Sequence, residues 1–351
     1  MHRILKKARY TFKRYFGDLP VKIPKFLSLF KRFKPYVRWF ILALTFGFIL
    51  HTLRVNWQQI LTVRFSPHVF PKLITALGVT LLAHVWSGWV WYWIVRLLNA
   101  PVSTTWAVIT YLKTNLGKYL PGNVWHFVGR VQFLRSSGAP IGVSIVGVIL
   151  EPVLMAVAAL ALVVAILPST FLQSLILIGI LVLVHPRVLN PILSRLAKTK
   201  MKQTDFEGQP IIPKLSNYPV KPLIGEVIFV VLRGSGFLLC FLSLDVITIR
   251  DSWVILGAFS FAWLLGLVVP GAPGGLGVFE ATALAVLTPQ FPVEIVLGAV
   301  ALYRLNSTLA EVLGAGLAFI DERWNLILAR RSPEPTPSRG MISSQVTSTD
   351  A

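Results

Sequence analysis

Charge is what this sequence has least of. Only 14% of its 351 residues are Asp, Glu, Lys or Arg, where a soluble domain carries about 25%. Acids are the scarcer sign, 14 against 34 Lys and Arg. Between Asp18 and Asp205 the one acidic residue is Glu151. Cysteine is limited to Cys240, which excludes an intrachain disulfide and a thiolate metal cluster. The six histidines are scattered, with no pair at metal-ligand spacing. There is no Gly-x-Ser-x-Gly elbow, and no glycine-rich run ends in the Gly-Lys-Ser/Thr of a nucleotide loop. These absences remove soluble domains, disulfide-stapled folds, metal enzymes, serine hydrolases and phosphate-loop nucleotide binders. No cofactor is expected.

What remains is apolar. Hydrophobic residues make up 55% of the chain, mean hydropathy is +0.69, and they come in blocks. Crossing a bilayer takes about 20 apolar residues in a helix. Tyr36–Leu53, Leu73–Leu98, Ile141–Leu167, Phe171–Val184 (extended past Pro186 to Leu193), Leu223–Leu244, Ser252–Val269 and Val293–Ile320 are the expected spans. Two stretches are too short. Trp106–Leu116 spans only about 16 Å at 1.5 Å per residue, stops at Pro121-Gly122 and resumes over Val124–Leu134. Leu276–Leu287 is likewise a half-length piece after a Gly-Pro break. The expectation is an all-α polytopic membrane protein of about seven to eight transmembrane helices plus two broken or re-entrant helices, with an internal duplication. Its parts are a basic segment 1–35, a first membrane half 36–194 with a re-entrant 106–134, a loop 195–222, a second half 223–325 with a broken helix 270–288, and a disordered tail 332–351.

The net charge of +20 is unevenly placed. Residues 1–38 hold twelve Lys/Arg against Asp18, next to the first apolar block. Such a segment reads as cytoplasmic and facing anionic lipid rather than nucleic acid, for which no soluble domain remains. Residues 187–221, with seven Lys/Arg against two acids, read as cytoplasmic too. The chain is therefore expected in the cell (plasma or inner) membrane with a cytoplasmic N-terminus. Two arrangements fit the C-terminal half: either the 270–288 segment crosses, or the tail is external. Inverted and parallel repeats both remain open.

The two breaks are alike. Leu116-Gly117-Lys118-Tyr119-Leu120-Pro121-Gly122 leads to Arg130. Leu265-Gly266-Leu267-Val268-Val269-Pro270-Gly271 leads through Ala272-Pro273-Gly274-Gly275-Leu276-Gly277 to Glu280. An offset of 149 residues aligns both the Leu-Gly and the Pro-Gly pairs. In hydrocarbon a freed backbone survives only inside protein or beside a wet cavity, so paired breaks mark a central site. Glycines 274, 275 and 277 would let a ligand approach backbone N–H groups at a helix start, which suits a phosphate. Tight helix packing through small residues is the structural alternative.

Each break is followed by an apolar helix of opposite charge: Glu151 after Arg130, Arg304 after Glu280. A charge at bilayer depth must pair, take up a proton or face water. The candidate site is Lys118, Pro121, Gly122, Arg130, Glu151, Pro270, Gly271, Pro273, Gly274, Gly275, Gly277, Glu280 and Arg304. Arg233, Glu226 and Glu311 divide evenly between site and static ion pairs. Trp86, Trp89, Trp91 and Trp93 read as belt and packing residues. His84 and His126 read as packed histidines, with His126 kept as a site candidate only because it follows the Pro121-Gly122 break.

Lys118-Tyr119-Leu120-Pro121-Gly122 with Arg130, then Glu151, the run Pro270 to Glu280, and Arg304 resemble the flippase-like family named for the transmembrane region of lysylphosphatidylglycerol synthase. The resemblance covers most of residues 36–325. It implies a lipid-translocating membrane domain without the soluble aminoacyl-transferase domain, for which residues 1–38, 195–221 and 332–351 leave no room. That family commonly has arginine after the first-half glutamate; here it is Pro152. The expected function is translocation of a phospholipid or polyprenyl-phosphate lipid, with membrane lipids of anionic or zwitterionic headgroup as partners. A membrane-embedded lipid-modifying enzyme, and a non-transporting scaffold for a glycosyltransferase or synthase partner, are the alternatives.

Overall fold

A computed structural model describes Arg54 and residues 69–119, 124–166, 171–201, 212–244, 247–269, 275 and 277–331. The expected span Tyr36–Leu53, the basic segment 1–35 and the tail 332–351 lie outside the described residues. The described residues form ten α-helices and no strand. A first group is α1 (Val69–Leu97), α2 (Thr104–Asn115), a 3₁₀ turn (Leu116–Tyr119), α3 (Trp125–Ser136) and α4 (Ile141–Ile166). Then come α5 (Phe171–Val184) and α6 (Pro186–Met201). The last group is α7 (Val220–Leu244), α8 (Ile249–Val268), α9 (Val278–Leu287) and α10 (Val293–Arg331).

Among the described residues five helices are long and apolar enough to cross a membrane: α1, α4, α7, α8 and the Val293–Asp321 part of α10. α5 and α6 meet at 58° and add a sixth crossing if the bent pair is one span. This is the make-up of an all-α, multi-pass membrane protein. α2, α3 and α9 have 12, 12 and 10 residues, so each reaches about half the hydrocarbon thickness. Both breaks expected from the sequence are therefore ends of half-length helices. Some boundaries differ: α7 starts at Val220 and α10 runs on to Arg331. The loop expected from residue 195 begins later, because α6 runs to Met201. Its Leu189, Leu193 and Ala197, one turn apart, are all buried, and an amphipathic face of that kind holds a helix together. Asn190 then ties the following segment to α6, accepting from Leu215 N (2.8 Å) and donating to Leu215 O (3.0 Å).

Each group holds two long outer helices with two helices between them that meet at a break: α2 and α3, of 12 residues each, in α1–α4, and α8 and α9, of 20 and 10 residues, in α7–α10. The second member of each group starts on a hydroxyl cap. Ser103 accepts from Trp106 N, and Thr248 and Asp251 form a reciprocal capping box. The same close contact then seals each break. A Cβ at Gly117 would lie 2.8 Å from His126 N; a Cβ at Gly266 would lie 3.3 Å from Gly275 Cα. Adding 149 to Gly117 and His126 gives Gly266 and Gly275. Glycine is needed at these crossings because backbone, which cannot yield, is the neighbour.

α1 and α7 form the most extensive helix pair. Lys72 Nζ bonds Leu242 O at 2.6 Å, a Cβ at Gly236 would touch Thr80, His84 meets Arg233, and Trp86 Nε1 bonds Gly225 O at 2.8 Å. As one number rises the other falls, so the two helices run antiparallel. Lipid tails are as apolar as leucine, so close backbone approach and interhelical hydrogen bonds hold such a pair. In the second group Phe237, Phe259, Phe279 and Tyr303 contact one another at ring centroids 5.5–5.9 Å apart. They come from α7, α8, α9 and α10, and they fasten the short α9 to three long helices.

Candidate functional site

A cavity of about 250 Å³ lies among α1–α4, α7–α10 and the 3₁₀ turn. Its wall includes His84, Lys118, Arg130, Glu151, Arg233, Gly275, Arg304 and Ser307. His84, Glu151 and Arg233 fall near the midpoints of α1, α4 and α7, and Ser307 near that of the apolar part of α10. The cavity thus sits at the middle of helices long and apolar enough to cross a bilayer, and at the middle of a bilayer polar groups exist only if buried or wet.

The first expected pair forms. Arg130, 2% exposed, donates through its Nη1 to Glu151, also 2% exposed. Its Nε donates to Thr114 Oγ1 at 3.3 Å, and its guanidinium carbon lies 3.8 Å from the Tyr111 ring centre. Tyr111 is itself fixed by Ser87 Oγ donating to its hydroxyl at 2.7 Å. Pro152 sits inside α4 without ending it. The guanidinium therefore has a carboxylate at its edge and an aromatic face against its plane, a geometry lysine could not reproduce.

The second expected pair forms as well, and it has a further duty. Glu280 Oε1 accepts from Arg304 Nε, and its Oε2 accepts from the Gly277 backbone N–H, both at 2.5 Å. Arg304 Nη2 also donates to Gly275 O at 3.1 Å. Gly275 and Gly277 have φ of +70° and +90°, values that only glycine adopts without strain. Glu280 thus caps α9 from the third helical position. The backbone donor expected to cradle a ligand at Gly277 is taken by the chain's own carboxylate, which corrects that reading of the helix start. Pro121, Gly122, Pro270, Gly271, Pro273 and Gly274 lie outside the described residues.

Lys118 does not stand alone. Its Nζ lies 2.5 Å from Oε1 of Glu311 on α10, which the same oxygen shares with His84 Nε2 at 3.3 Å. Tyr119 Oη and Thr308 Oγ1 meet at 3.4 Å beside it. These contacts tie the first helix group to the second. Next to them, Arg233 Nη1 donates to His84 Nε2 and to Ser307 Oγ, each at 2.9 Å. Arg233 is 6% exposed. Of the four cations on the wall, Lys118, Arg130 and Arg304 each hold a carboxylate. Arg233 has none among the described residues, and its Nε has no hydrogen-bond partner. Tyr303 Oη and His126 Nδ1, of two more wall residues, are also unpartnered. Buried polar atoms are nearly always bonded, and these three atoms of wall residues have no partner among the described residues.

Glu226 stands apart. It is fully buried in α7, off the cavity wall, and neither of its oxygens has a hydrogen-bond partner among the described residues. The structure therefore brings Lys118, Arg130, Glu151, Gly275 and Arg304 of the expected site to one cavity, with Glu280 and Gly277 behind them. It adds Arg233, Glu311 and His84. Among the described residues no group of three or more His, Cys, Asp or Glu is placed to hold a metal ion. No family model matches the chain, and no curated protein matches it.

Proposed function

We propose that the chain is a lipid carrier that passes a phosphate-bearing headgroup through the mid-membrane cavity while the acyl or polyprenyl chains stay in lipid. The observation that carries this is Arg233. It is a buried guanidinium on a cavity wall, with no carboxylate in direct contact and no partner for its Nε among the described residues, and the nearby Glu311 is already shared by Lys118 and His84. Lys118 and Arg233 thus have one carboxylate, Glu311, between them; burying the excess positive charge is costly, whereas a bound anion would offset it. A phosphodiester carries one negative charge and accepts in-plane bonds from a guanidinium. Lys118, Arg130 and Arg304 flank Arg233 on the wall and would share the phosphate oxygens. Glu151, Glu280 and Glu311 hold those three cations when no headgroup is present. A cavity of this size suits a small polar headgroup, not a whole lipid.

The scaffold is that of an inverted internal duplication. α1–α4 and α7–α10 share an element order and a 149-residue offset, and their leading helices pack antiparallel. Repeats of this kind place a substrate site at mid-membrane between them and let one half rock against the other. The bent α5–α6 pair, taken as one span, brings the count among the described residues to six. The resemblance of the two broken-helix motifs to the flippase-like family points the same way. The test uses the purified chain in proteoliposomes containing fluorescent short-chain phosphatidylglycerol, with a quencher added outside. Arg233→Met is expected to slow headgroup crossing at least about tenfold, the factor set by some 1.4 kcal/mol of lost binding. Crossing at the wild-type rate would overturn the proposal.

A further inference from the structure

We infer that the site selects a headgroup with one net negative charge, a phosphodiester bearing no amine, over a dianionic phosphomonoester and over a zwitterion; this rests on the anion reading of the cavity above. Fixed charge at the cavity decides it. Lys118, Arg130, Arg233 and Arg304 stand on the wall. Among the described residues three carboxylates answer them: Glu151 holds Arg130, Glu280 holds Arg304, and Glu311 holds Lys118. Four cations against three carboxylates leave one positive charge.

The surplus has a place. Arg130 is closed by Glu151, by Thr114 Oγ1 at 3.3 Å and by the Tyr111 ring. Arg304 is bonded to Glu280 and to Gly275 O. What is left is Lys118 and Arg233 around the single carboxylate of Glu311, with Arg233 Nε unpartnered among the described residues. A phosphate oxygen on that Nε need not disturb the Nη1 contacts with His84 and Ser307.

The other ionisable groups add nothing to the count. Both ring nitrogens of His84 face N–H donors, Arg233 Nη1 at 2.9 Å and Asn115 Nδ2 at 3.5 Å. A doubly protonated ring would oppose a donor at each, so His84 is neutral. His126 has no acid within ion-pair reach among the described residues, and at pH 8 such a histidine is neutral. The phenols of Tyr111, Tyr119 and Tyr303 keep their protons there too. Glu226 is fully buried, off the wall, and without a hydrogen-bond partner among the described residues; an isolated carboxyl in such a place holds its proton.

Unbalanced charge at bilayer depth is costly. A phosphodiester brings one negative charge and closes the count at zero. A phosphomonoester carries close to two negative charges above its second pKa of about 6, and so leaves an excess anion. A zwitterion leaves the surplus cation in place, and its amine meets no open acid. Glu151 is the carboxylate on the wall, and Arg130 holds it. The unpartnered Glu311 Oε2 is buried off the wall.

The experiment measures, by calorimetry at pH 8, binding of three dihexanoyl lipids to the full chain in detergent: phosphatidylglycerol, phosphatidic acid and phosphatidylcholine. Phosphatidylglycerol is expected to bind at least about tenfold more tightly than either of the others, the order of effect of one unbalanced charge at an intermediate dielectric. Glu311→Gln raises the surplus to two, so phosphatidic acid should overtake phosphatidylglycerol. Lys118→Gln removes the surplus and leaves Arg233 in place, so phosphatidylglycerol and phosphatidylcholine should come within about threefold of each other. Should Glu311→Gln fail to fold, Lys118→Gln decides on its own. Phosphatidylglycerol binding to the wild type without that preference, or a folded variant that keeps the wild-type order, overturns the charge selection alone. No binding of phosphatidylglycerol to the wild type removes the anion site and this inference together.

Discussion

Replacing Glu151 by Gln leaves the Arg130 guanidinium 2% exposed and without its carboxylate. What stays is Thr114 Oγ1 at 3.3 Å and the Tyr111 ring. Breaking a buried ion pair from one side typically costs about 3–5 kcal/mol, because the partner's charge is left uncompensated. For a chain this long that is on the order of 10 °C in melting temperature. Removing both charges is different. Arg130→Met with Glu151→Met keeps the volume and removes the desolvation cost, and such swaps are near neutral. The assay is thermal unfolding in one detergent, followed by headgroup translocation in liposomes. Glu151→Gln should melt well below wild type. The double variant should recover most of that loss yet carry no more than a small fraction of wild-type lipid flux. Two results would refute the reasoning: a double variant as unstable as the single one, or one that melts normally and still transports. The latter would make the pair a lock between α3 and α4 rather than part of the pathway.

Gly117→Ala places a Cβ 2.8 Å from the His126 backbone nitrogen, so it should lower stability by about 1–3 kcal/mol. Gly179→Ala in α5, where a Cβ meets nothing within 4 Å, serves as the neutral control, and equal melting of the two would remove the close-contact account of the break. Glu226→Leu removes two buried oxygens that have no partner and should raise the melting temperature, by the equivalent of about 1–3 kcal/mol. A lower melting temperature would show that this carboxylate has a stabilising role.

The breaks were legible because hydrocarbon leaves so few explanations for Pro, Gly and charge in apolar blocks. Arg130 with Glu151 and Glu280 with Arg304 each join consecutive helices of one half, so order along the chain paired them. Lys118 with Glu311 and His84 with Arg233 join residues 193 and 149 apart, across the two halves. No local spacing announces such a partner. His84 reads as a packed histidine because one histidine in an apolar helix carries no sign of what faces it. The 149-residue offset was the signal that could have found it, since it carries His84 onto Arg233 as it carries Gly117 onto Gly266. The cap on α9 was readable too. Gly277 followed three residues later by Glu280 has the spacing of a capping box. The polar expectation from residue 195 hid the end of α6, whose Leu189, Leu193 and Ala197 periodicity continues past the composition shift.

The most direct measurement is a density map of the full chain in nanodiscs of anionic phospholipid. The account predicts a phosphate within hydrogen-bond reach of Arg233, flanked by Lys118, Arg130 or Arg304, with the lipid's tails leaving the cavity for the bilayer. Phosphate density confined to the membrane surfaces, with Arg233 still bonded to His84 and Ser307 and no headgroup beside it, would contradict it.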